Sequence, residues 1–194
     1  MWATEPHEGI TGVTFDSDGH RLVGTLYLAR DVTAAVDYLA GCPQVDADRI
    51  AVVGHSLGGW AALVTAATEP RLRAVGVYGA AARLGAGRGF GLDQLEQEFT
   101  RFLATTPEDF AVQLALVAEQ MDGLAAVTAI RPRPLLVVHG TWDRWVPVAH
   151  AQRLVRRARQ PFRYAEIEGA GHDFAWQRSR LRDLVTGWLD EIHV

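Results

Sequence analysis

The chain has 194 residues, 48% of them apolar and 22% charged, with a formal net charge of -4. That length suits one soluble domain burying roughly 70% of the surface its unfolded chain exposes, and the acidic balance, with no long Lys/Arg block, argues against a general grip on nucleic acid. A single cysteine, Cys42, rules out an internal disulfide.

The opening "MWATEPHEGI" lacks the basic and apolar regions of a secretory signal, and no apolar run approaches the ~18 residues of a membrane span. A cytoplasmic setting without membrane contact is therefore expected. "GVTFDSDGHRLVGTLYLA" reads as two strands around the turn-forming pair Asp18-Gly19. In "RDVTAAVDYLAG" the apolar positions Val32, Ala35, Val36 and Leu39 have helical spacing, with Gly41 as a stop.

"RIAVVG" is a short continuous apolar run, as in a strand covered on both faces. "GWAALVTAATEP" follows as a helix and "LRAVGVYGAA" as the next strand. Residues 83–129 form an insertion, with a glycine-rich start (Gly85, Gly87, Gly89, Gly91) and then two helical patterns; a moving lid and a plain packing excursion both fit it. "PLLVVHG" is a strand, "VAHAQRLVRRARQ" a helix with a solvated basic face, "FRYAEIEGA" a strand and "FAWQRSRLRDLVTGWLDEI" the closing helix. This alternation predicts one α/β domain, a mostly parallel sheet with helices on both faces.

Gly54-His55-Ser56-Leu57-Gly58 satisfies G-x-S-x-G between a strand and a helix. Such a turn strains the serine backbone and aims its hydroxyl above the carboxyl edge of the sheet. Bulkier side chains at Gly54 and Gly58 would collide with the neighbouring elements. The amide of Leu57, at the helix N-terminus, is a natural donor to an oxyanion. A plain glycine-rich turn with a serine cap would explain Ser56 but not three glycines.

A serine nucleophile needs a base, and the base needs a carboxylate to set its tautomer. Among seven histidines, His55 lies inside the turn and should point elsewhere, His139 at a strand end suits a structural hydrogen bond, and His7, His20, His150 and His193 read as surface residues. His172, in "EGAGHDF" after the last strand, opens at the same edge as Ser56, and Asp143 in "HGTWDRWVP" also follows a strand. Asp173, Asp93, Asp109 and Asp122 are weaker candidates. The chain order Ser56, Asp143, His172 favours a triad.

The segments "VVGHSLGG", "RPRPLLVVHGTWDRWVP" and "EGAGHDF" resemble the α/β-hydrolase family, especially its dienelactone-hydrolase-like and esterase or acyl-peptidase-like members, from about residue 31 to the end. The resemblance implies Ser56 as nucleophile, Asp143 as acid, His172 as base and Leu57 as oxyanion donor. With no H-E-x-x-H motif, no Cys/His cluster, no paired carboxylates at ligand spacing and no phosphate loop, no metal or cofactor is expected. One departure stands out: "LYLA" runs directly into "RDVTAAVDYL", so about two strands and a helix are missing, together with the loop that usually supplies a second oxyanion amide. If Leu22 to Leu28 is a strand parallel to "RIAVVG", the amide of Ala29 or Arg30 should approach the oxyanion in its place. The shortened sheet would also leave an edge for a homodimer to cover.

Four of six tryptophans, Trp60, Trp142, Trp145 and Trp176, lie near the presumed rim. They either fill core space left by the missing layer or line an apolar pocket for short-chain or aryl esters. A small-molecule carboxylic ester is the substrate class so implied. A peptidase or acyltransferase on the same residues, or an impaired binding scaffold, are the competing readings.

Overall fold

The computed structural model describes residues 28–84, 122–159 and 161–194, with side chains from Val32 onward in the first segment. The hairpin around Asp18-Gly19, the strand proposed before Leu28, the glycine-rich start of the insertion and its helical patterns as far as residue 121 lie outside the described residues.

Helix α1 (Leu28–Ala40) turns its apolar stripe inward through Val36, and the Gly41 amide closes it on the Asp37 and Tyr38 carbonyls. It begins two residues earlier than the sequence pattern suggests. Leu28, Ala29 and Arg30 therefore form the first turn of a helix, not the end of a strand. A short 3-10 turn (Ala47–Arg49), capped by the Asp46 carboxylate, leads into strand β1 (Ala51–His55).

Helix α2 (Ser56–Thr68) is apolar all round, and nearly every side chain from Leu57 to Ala66 is buried. That composition suits a helix enclosed by other elements rather than one lying on a surface. Its far end is closed from a distance. The Arg133 guanidinium donates to the carbonyls of Ala66, Glu69 and Leu72, filling acceptors a helix C-terminus leaves open.

Strand β2 (Ala74–Tyr78), helix α3 (Gly123–Ala129), strand β3 (Leu135–Gly140), helix α4 (Ala149–Arg157), strand β4 (Phe162–Ile167) and helix α5 (Arg178–Glu191) follow. Helix α3, the described end of the insertion, packs against α2 and buries Ala126 and Val127.

The four strands form one parallel sheet in the order β1-β2-β3-β4. Period-two alternation splits β3 between two cores. Leu135 and Val137 join α1, α2, α3 and α4 on one face, while Leu136 and Val138 join Trp188 of α5 on the other. Helices on both faces of a parallel sheet make a doubly wound α/β fold. Strand β1 differs from the doubly covered strand expected: it is the outermost strand among the described residues, and Val53 remains 38% exposed. Because all strands run the same way, His55, Tyr78, Gly140 and Ile167 end them on one rim.

Candidate active site

Ser56 is the first residue of α2 and has φ 53. A non-glycine residue rarely enters this left-handed region, and one held there at a strand-to-helix turn marks a constrained site. The glycines that permit the turn are not quite the pair expected. A Cβ on Gly54 would fall 2.3 Å from the Gly58 carbonyl oxygen, and one on Gly59 would fall 2.8 Å from the Ala80 Cβ. One on Gly58 meets nothing within 4 Å among the described residues. Gly54 and Gly59 thus let β1 and α2 close on each other, whereas Gly58 meets no such neighbour among the described residues.

The structure brings together three side chains distant in sequence. The Ser56 Oγ lies 2.9 Å from His172 Nε2, and His172 Nδ1 lies 2.7 Å from Asp143 Oδ2. With Nδ1–H donating to the carboxylate, Nε2 is left as an acceptor for the serine proton. Asp143 is fixed in turn: its Oδ1 accepts the amides of Trp145 and Val146 in the turn after β3. Burial by itself would raise the Asp143 pKa. Its bonds to His139, His172 and the Val146 amide outweigh that and hold the carboxyl well below the usual range. The group is a carboxylate at any neutral pH.

Two loops must approach closely for this contact to form. A Cβ on Gly140 would sit 2.3 Å from the Ala170 carbonyl oxygen, so glycine lets the His172 loop lie against the end of β3. The Thr141 amide donates to Ile167 and the Trp142 amide to Ala170, stitching the two loops together. Phe174, at φ 52, turns back into the core beneath the loop and is buried.

The other histidines correct the sequence reading in two places. His55 does not point away: its ring lies 4.7 Å from that of His172. His150 is no surface residue, being 6% exposed, and its Nδ1 accepts the Ala82 amide. A fixed neutral acceptor at the start of α4 was unreadable from spacing alone. His139 is fully buried; its Nε2 donates to the Val146 carbonyl at 2.7 Å and lies 3.3 Å from Asp143 Oδ2. His193 is exposed.

The tryptophans also separate. Trp60 is 1% exposed within the core, against Gly123 of α3, and does not reach the rim. Trp145 stacks on His172 with ring centroids 5.8 Å apart and planes 8° from parallel. Trp142 is 69% and Trp176 93% exposed, on the two loops that carry Asp143 and His172. Leu57 buries its side chain, while its amide, in the first turn of α2, has no carbonyl one turn back in that helix. Ala29 and Arg30 occupy the matching first turn of α1, which packs against α2.

Among the described residues no group of three or more His, Cys, Asp or Glu is arranged to hold a metal ion, and no helix is long and apolar enough to cross a membrane.

Known proteins share this architecture. A protein of Mycobacterium tuberculosis (strain CDC 1551 / Oshkosh), described as uncharacterized, is 28% identical over 148 residues, covering 75% of this chain and 46% of its own length. The chain thus spans less than half the length of this curated relative. A thermophilic esterase from Thermogutta terrifontis superposes with a TM-score of 0.64 at 20% identity, covering 90% of this chain and 76% of that one. The esterase domain of a Rhodothermus marinus protein does so with a TM-score of 0.55 at 26% identity, covering 76% and 60%. The profile of the prolyl oligopeptidase family matches residues 8–192. A sheet of this topology, a strained serine at its elbow and a match over almost the whole length agree: the chain has an α/β-hydrolase fold and belongs to the prolyl oligopeptidase family.

Proposed function

We propose that the chain hydrolyses carboxylic esters with a short-chain or aryl group, through an acyl-enzyme on Ser56. The Ser56 oxygen attacks the carbonyl carbon as His172 Nε2 takes its proton. Asp143 holds the imidazole in the required tautomer and balances the charge that develops on it. The Leu57 amide donates to the oxyanion. We assign a second donor to Ala29 or Arg30, whose first-turn amides lack an intrahelical acceptor. Collapse of the tetrahedral species expels the alcohol, which takes the proton from His172, and a water activated by the same nitrogen releases the acid.

One observation carries this reading, the unbroken chain of hydrogen bonds from Asp143 through His172 to Ser56 at 2.7 and 2.9 Å. The preference for apolar esters is supported by the exposed indoles of Trp142, Trp145 and Trp176 on the loops that carry the acid and the base. Peptide-bond cleavage is the second reading, favoured by the family to which the chain belongs.

The test compares p-nitrophenyl acetate and butyrate with aminoacyl and prolyl arylamides, alongside a fluorophosphonate probe read by mass spectrometry. Ester turnover that vanishes in Ser56→Ala, with the probe on Ser56, is the expected outcome. Arylamides turned over faster than the esters would replace the esterase reading with the peptidase one. A native chain that neither reacts with the probe nor turns over any substrate would defeat both.

A further inference from the structure

The bonds from Asp143 to Ser56 fix the His172 imidazole at its ring nitrogens, but the backbone that carries it belongs to a loop. His55 reaches that backbone. It is the last residue of β1 and the immediate predecessor of Ser56, and its Nε2 lies 2.8 Å from the His172 carbonyl oxygen. A carbonyl only accepts, so His55 carries its proton on Nε2 and donates it. The ring that makes this bond is itself held. It stacks on Tyr78 with centroids 4.9 Å apart and planes 17° from parallel, and meets the Phe174 ring edge-on at 6.3 Å. Gly79, at φ 58, keeps its seat clear: a Cβ there would stand 3.3 Å from His55 Nε2 and 3.5 Å from His172 Cε1.

We propose that His55 is a positioning residue for the reaction, whose Nε2–H pins the His172 main chain so that the imidazole meets the Ser56 hydroxyl. The proposal rests on Ser56 acting as nucleophile with His172 as its base. Its physical basis is that one strand end then sets both partners. The elbow aims the hydroxyl, and the residue before it holds the base loop at the matching height. Burial lowers the His55 pKa against the opposing pull of its bond to the His172 carbonyl, and favours the neutral ring. Neutrality serves the arrangement, since a second positive charge beside His172 would oppose the charge that develops there.

The test uses the fluorophosphonate probe on the full chain, with rates resolved into the limiting phosphonylation step and the probe concentration at half-saturation. His55→Phe keeps a planar ring on Tyr78 but removes the donor; His55→Gln restores a donor. The limiting step should fall about 10- to 100-fold in His55→Phe, with half-saturation unchanged, and recover to within about threefold of native in His55→Gln. Histidine ring ¹⁵N spectra of the native chain should show His55 protonated on Nε2, a readout that needs no variant to fold. A native-like rate in His55→Phe, or a loss that His55→Gln does not recover, overturns the proposal and leaves the esterase reading standing. So does a His55 proton on Nδ1. A native chain that fails to react with the probe instead removes the esterase reading, and this proposal with it.

Discussion

Alanine at Gly54 and at Gly58 should act in opposite directions, although both glycines belong to the same five-residue motif. At Gly54 the new methyl would lie 2.3 Å from the Gly58 carbonyl oxygen and 2.7 Å from the Gly59 nitrogen, both well inside ordinary contact. These are backbone atoms, so no rotamer change relieves the overlap and β1 must part from α2. Overpacking of a well-fitted interior costs about 1–3 kcal/mol, and a backbone clash belongs at the top of that range. At Gly58 the methyl meets nothing within 4 Å among the described residues, and the residue lies in the first turns of α2. Replacing a helical glycine there removes freedom from the unfolded chain and should stabilise by about 0.4–1 kcal/mol. In a chain of this size each kcal/mol shifts the melting temperature by roughly 2–4 °C. Circular dichroism melts should therefore place Gly54→Ala about 6–12 °C below the native chain and Gly58→Ala about 1–4 °C above it. If Gly58→Ala melts as low as Gly54→Ala, the packing account of the elbow is wrong.

Asp143→Asn should lower ester turnover by about 10⁴-fold with little change in KM, because an amide nitrogen facing His172 Nδ1 favours the wrong tautomer; stopped-flow turnover within tenfold of native would contradict that. Trp142→Ser and Trp176→Ser should leave the melting temperature within about 2 °C of native, since both rings are largely exposed. The same two changes should raise KM for an aryl ester about two- to tenfold, the worth of one aromatic contact, and an unchanged KM would remove these rings from the substrate site. His150 carries a pH signature. Burial, with nearby Arg153, lowers its pKa, so above pH 6.5 neither the folded nor the unfolded chain is charged there. As pH falls below about 6.5 the unfolded chain takes up a proton that the fold resists, and stability drops at up to about 1.4 kcal/mol per pH unit. Urea titrations at pH 7.5 and 5.5 should show a smaller drop in His150→Gln than in the native chain, and equal drops would exclude this origin.

Much of the scaffold was readable because its signals are local. The alternation of short apolar runs with helical spacing reports how each segment buries itself, and a serine between glycines after such a run marks the elbow through the geometry of a few consecutive residues. The positions of Asp143 and His172 were readable by the same logic, since each follows a parallel strand and parallel strands end on one side. Where the pattern was ambiguous the reading went astray. The start of α1 at Leu28 reads from the sequence as a strand end, because "LYLA" suits either state until the packing of the helix is known.

What the amino-acid order determined by itself was therefore the order of the described elements, the elbow and the rim. Only tertiary structure could decide contacts between residues far apart in the chain. Ser56 and His55 each meet His172 across more than a hundred residues, at distances set by sheet register and by the close approach of two loops at Gly140. The same holds for the buried His150, and for the contrast between Trp60 in the core and Trp176 in solvent. Side-chain type is common to both members of such pairs, and burial is decided by which elements the fold lays against them.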